Sequence, residues 1–82
     1  MRVYVHVRDK IIPLECGSGT QQVRWLGNVG VARYDETFGR SLGAAIGVQK
    51  EGGTLCEPTD RVCDVLGDQQ HCFVVLSDFA AE

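Results

Sequence analysis

The stretch Arg2-Val-Tyr-Val-His-Val-Arg8 alternates without a break: Val3, Val5 and Val7 fall on one side, and Arg2, Tyr4, His6 and Arg8 on the other. A period of two in β-branched residues is the signature of a strand with one apolar face and one wet face. The valine face needs a cover and the backbone needs a pairing partner, so the rest of the chain must supply both. Arg8-Asp-Lys10 suits a tight turn, and a second alternating run follows, with Ile12, Leu14 and Cys16 opposite Ile11, Pro13 and Glu15. Pro13 cannot donate a ladder hydrogen bond, which puts the second strand at a sheet edge. The first sixteen residues therefore read as a β-hairpin.

The cover comes next. Gly17-Ser-Gly19 breaks the alternation, and Thr20 or Ser18 suits a helix N-cap. Val23, Leu26, Gly30 and Tyr34 then recur at helical spacing, with Trp25, Val29 and Ala32 on a flank, which predicts a helix over residues 20–34. Gly27 and Gly30 each cost about 1 kcal/mol against alanine inside a helix, a cost that close approach to a sheet would offset. Asp35 to Gly43 reads as a connector from which Phe38 and Leu42 reach the core. Ala44 to Val48 reads as a short strand, Lys50 to Gly53 as a turn and Thr54-Leu-Cys56 as a brief extended piece. Pro58-Thr-Asp60 opens a short helical turn carrying Val62, Val65 and Leu66, with Asp60 as its cap. After a turn at Gly67–Gln70, Cys72-Phe-Val-Val-Leu76 is a final apolar strand.

The chain has 82 residues, enough for one domain with a thin core. A formal net charge of −3, with its cations dispersed, argues against a nucleic-acid or lipid-headgroup footprint. No apolar run approaches the roughly 20 residues of a membrane helix, and the opening residues lack the apolar core of a signal peptide. The expected setting is intracellular, cytoplasmic or nuclear, with the four cysteines as thiols.

Several segments resemble the ubiquitin-like β-grasp family. Met1-Arg-Val-Tyr-Val-His-Val7 is similar to its first strand and Ile12-Pro-Leu-Glu-Cys16 to its second. Gly52-Gly-Thr-Leu55 is similar to the segment after its third strand, and His71-Cys-Phe-Val-Val-Leu76 to its last. The resemblance implies an α+β fold in which a mixed four- to five-stranded sheet packs on one main helix, over residues 1–78, with 79–82 as a tail or the start of a linker. It departs from the family's conjugated members, because the last strand runs on into Ser77-Asp-Phe-Ala-Ala-Glu82 rather than a Gly-Gly terminus. Gly52-Gly53 is internal. A modifier or sulfur carrier is therefore not expected.

Catalytic readings fare poorly. The residues after Gly19 are not the Lys-Ser/Thr of a phosphate-binding loop, and Cys16 falls on the inward face of its strand, as buried thiols do. Cys56 and Cys63 are separated by six residues, and His71 and Cys72 point to opposite faces, so neither pair matches zinc-ligand spacing. The carboxylates Asp9, Asp35, Glu36, Asp60, Asp64 and Asp68, read as lying mostly in turns, form no acid–base constellation. No enzyme activity, metal or cofactor is expected. What remains is a surface: Tyr4 and His6 beside Phe73 and Val75, on the sheet face away from the helix, with His6 at the rim. In ubiquitin-like proteins this face is the commonest recognition surface, so the resemblance implies a protein-docking module of a larger protein, with no partner named by the sequence. The alternative is a structural domain that self-associates through an exposed edge of the first or second strand.

Overall fold

The computed structural model describes residues 1–38 and 45–76. Its elements run β1 (Arg2–Val7), β2 (Lys10–Glu15), α1 (Val23–Phe38), β3 (Ala45–Lys50), α2 (Val62–Val65) and β4 (Gln70–Leu76). The four strands form one mixed sheet in the order β2-β1-β4-β3, antiparallel at both sides and parallel between β1 and β4 in the middle. The fold is α+β, with one main helix.

The hairpin follows its alternation. Val7 pairs with Lys10, leaving the two-residue loop Arg8-Asp9, with Arg8 in the left-handed region at φ 56°. Val3, Val5 and Val7 are fully buried, and Leu14 and Cys16 join them from β2. β2 is an edge strand, as Pro13 requires. β1 lies between β2 and β4, so both of its edges are already paired within the sheet.

Helix α1 buries Val23, Leu26, Val31 and Tyr34 against this sheet. A Cβ on Gly30 would stand 3.0 Å from Val5 Cγ1 and 3.2 Å from Val7 Cγ2, and one on Gly27 would stand 3.0 Å from Ala45 Cβ. These two glycines set how closely helix and sheet approach. Of the flank residues, Trp25 and Val29 are half-buried and Ala32 is exposed.

Both ends of α1 differ from the sequence reading. It starts at Val23 because residues 19–22 are held by backbone hydrogen bonds against the start of α2. Val62 N–H donates to the Gln21 carbonyl (2.9 Å) and Cys63 N–H to the Gly19 carbonyl (2.9 Å), and Gln22 bridges Arg61. Thr20 consequently does not cap. The open helix amides are met across the fold, Val23 N–H donating to the Asp60 carbonyl (2.8 Å) and Arg24 N–H to the Pro58 carbonyl (3.1 Å). At the other end Asp35 and Glu36 are helical, not connector, since no glycine or proline interrupts Val31–Phe38 and buried Tyr34 anchors the turn. The Phe38 and Leu42 side chains, the remainder of the connector and the tail from Ser77 lie outside the described residues.

The β3–α2 connection covers part of the second sheet edge. After a turn at Glu51–Gly53, Thr54–Cys56 folds back on β3: Lys50 N–H donates to the Thr54 carbonyl and Cys56 N–H to the Val48 carbonyl, each at 2.8 Å. Arg61 occupies the N-cap position of α2 with no side-chain cap bond, so Asp60 does not serve as the expected cap.

Candidate docking face

With Val3, Val5, Val7 and Cys72 all turned inward and fully buried, the intervening residues of β1 and β4 must emerge on the other face of the sheet. The parallel register sets Tyr4 across from His71 and His6 across from Phe73. Because neighbouring side chains on one face of a strand pair also meet diagonally, four rings line up as Tyr4, His71, His6, Phe73. Tyr4 stacks on His71 with centroids 5.0 Å apart and planes at 29°. His71 and His6 lie 5.0 Å apart at 48°, and His6 and Phe73 4.3 Å apart at 34°. The first pair is stacked and the other two are tilted, so each ring is in contact with its neighbour in the row.

The two imidazoles are also joined by a hydrogen bond, with His6 Nε2 and His71 Nδ1 2.7 Å apart. Between neutral rings one nitrogen must carry the proton and the other the lone pair. Burial lowers the pKa of His6 from its ordinary value, the charge of His71 lowers it further, and Glu51 acts in the opposite sense. His6 thus prefers to be neutral.

Of the four residues picked from the sequence, Tyr4, His6 and Phe73 come together. His6 stands inside the row rather than at its rim. Val75 lies beyond it, half-buried and paired with Gly47 of β3. Leu55, 62% exposed, places Cδ1 3.0 Å from where a Gly47 Cβ would be, so it folds over the same face. Leu55 and His71 are the two contributors that sequence reasoning missed. The sequence reading considers His71 only as a metal ligand and leaves it out of the docking face. Its outward orientation was readable from buried Cys72, but its partner depends on the β1–β4 register. At the far end of the face, Arg2 and Glu15 form an exposed ion pair that adds little stability.

The other candidate chemistries can be placed. Cys16 is buried, and its thiol donates weakly to the Leu14 carbonyl (3.7 Å). Burial raises its pKa, as it does for Cys56, and pushes Cys72 up to about 12. These three therefore stay as thiols rather than reactive thiolates. Gly17-Ser-Gly19 is a turn closed by Gly19 N–H donating to the Cys16 carbonyl (2.8 Å), and the first amides of α1 are already bonded to Asp60 and Pro58. Among the described residues no group of three or more His, Cys, Asp or Glu is placed to hold a metal. A shallow hollow of about 120 Å³ between α1 and β3 is lined by Val23, Arg24, Gly27, Ala45, Ile46 and Pro58 among others. That volume is below the ~300 Å³ at which small-molecule sites begin.

No protein-family model matches this chain, and no curated protein matches it. Among the described residues no helix is long and apolar enough to cross a membrane.

Proposed function

We propose that this chain is a ubiquitin-like β-grasp module that docks a partner protein on the outer sheet face for a larger intracellular protein. The observation that carries the reading is the ring row Tyr4–His71–His6–Phe73. It is preorganised by stacking and a hydrogen bond on the sheet face away from the helix, and ends in partly exposed Phe73. Rigid aromatic groups of this kind make good anchors, because they bury area on binding while losing little rotamer freedom. The sheet order and single covering helix are compatible with a β-grasp, which supports the family resemblance. Tyr4, Phe73 and Val75 are the assigned partner-binding residues together with His6, and Leu55 extends the patch past Val75.

Self-association through a strand edge is the second reading. It has less support: Pro13 interrupts the β2 edge, and Thr54–Cys56 covers part of the β3 edge.

Immobilised domain exposed to cell lysate tests the docking reading. Proteins held by the wild type and by Ile46→Ser, but lost with Tyr4→Ser and Phe73→Ser, are the expected result. Retention indifferent to both face substitutions sinks it, and a sedimentation-measured mass that rises with concentration favours self-association instead.

A further inference from the structure

The existence of the His6–His71 bond depends on how many protons the pair holds. With both rings neutral, one N–H donates to the lone pair of the other across 2.7 Å. One added proton leaves that bond in place and makes it charge-assisted, hence stronger. A second proton leaves no lone pair, so two N–H groups and two positive charges face each other at hydrogen-bond distance, and the bond must open. His71 also stacks on Tyr4, and His6 also packs on Phe73, so rings that part here carry both ends of the row with them.

We propose that the His6–His71 pair is a proton-operated latch on the docking face, closed with no or one added proton and opened by the second. The latch is a property of the pair alone; its use in regulating partner binding rests on the docking reading above. The groups facing it are few. β1 contributes Tyr4, and β2 contributes uncharged Ile11, directly opposite His6, while Glu15 is engaged by Arg2. β4 contributes Phe73, and β3 contributes uncharged Gln49 opposite Phe73. Glu51, in the turn after β3, favours the charged form of His6, but it is outweighed by burial and by His71. Of the hairpin cations, Arg8 lies in the two-residue loop and Lys10 stands opposite Val7, whose side chain is turned inward. The latch therefore opens on the acidic side of the ordinary histidine range, and stays closed at neutral pH.

The test is a side-chain NMR titration of the full chain from about pH 8 to about pH 4. The expected result is two coupled imidazole steps more than about 1 pH unit apart, with the ring resonances of Tyr4 and Phe73 moving with the second step only. His6→Gln and His71→Gln should each collapse the titration to one step. Two independent steps within the ordinary histidine range, with ring resonances following neither, overturn the latch. Where lysate proteins are retained by the face, their release should follow the second step. An intact two-step titration with retention unchanged by pH would leave the latch without a regulatory role and overturn that part. An intact titration with nothing retained would instead count against the docking reading.

Discussion

The two faces of the sheet are cut from the same strands and obey different rules. The inner face is built from valines, a leucine and cysteines whose only requirement is to fill volume against α1. The outer face is built from rings that each engage a particular neighbour at a particular angle. Inner-face residues are replaceable by anything of like size and apolarity. Outer-face residues are replaceable at a smaller cost to the fold, but not without changing what the surface presents.

The largest expected contrast is chemical. Exposed Cys63 should react with iodoacetamide in the native protein at least ~10³ times faster than buried Cys72, which becomes accessible only when the structure opens. Peptide mapping over a time course reads the ratio, and comparable rates would mean that the inner face is not closed. Next in size, Leu26→Ala, which empties a fully buried site on the inner side, should cost about 2–5 kcal/mol in urea unfolding. Phe73→Ser on the outer face should cost about 1 kcal/mol. If the two substitutions prove equally destabilising, the division of labour between the faces is wrong.

The smallest effect should be a slope. The folded-state pKa of His6 is lowered, so the unfolded chain binds more protons, and this contribution is fully present above the unfolded histidine value of about 6.5 and lost as pH falls through the folded value. The urea midpoint of the wild type should therefore decline over that range more than that of His6→Gln. Parallel curves would show that His6 feels no folded-state penalty on charging.

These faces were legible in the sequence to different depths. Which residues point inward on β1, β2 and β4 follows from alternation alone, because a one-residue slip would turn every apolar side chain out. Which outer residues meet does not follow, because sliding β4 along β1 by two residues keeps both faces intact and changes every partner. That is why Tyr4, His6 and Phe73 could be assigned to the outer face while the His71 pairing could not be seen. The start of α1 was hidden for a similar reason: its first amides are satisfied by Asp60 and Pro58, distant in sequence, rather than by a nearby hydroxyl.

That arrangement also sets an order of assembly. In a chain growing from its N-terminus, the hairpin can close as soon as it is made, whereas the first turn of the helix must wait until Pro58 to Asp60 have been added and brought back to it. The amide protons of Val23 and Arg24 should then gain protection from exchange late in refolding, after those of the hairpin. They would mark the moment at which separate pieces become one structure.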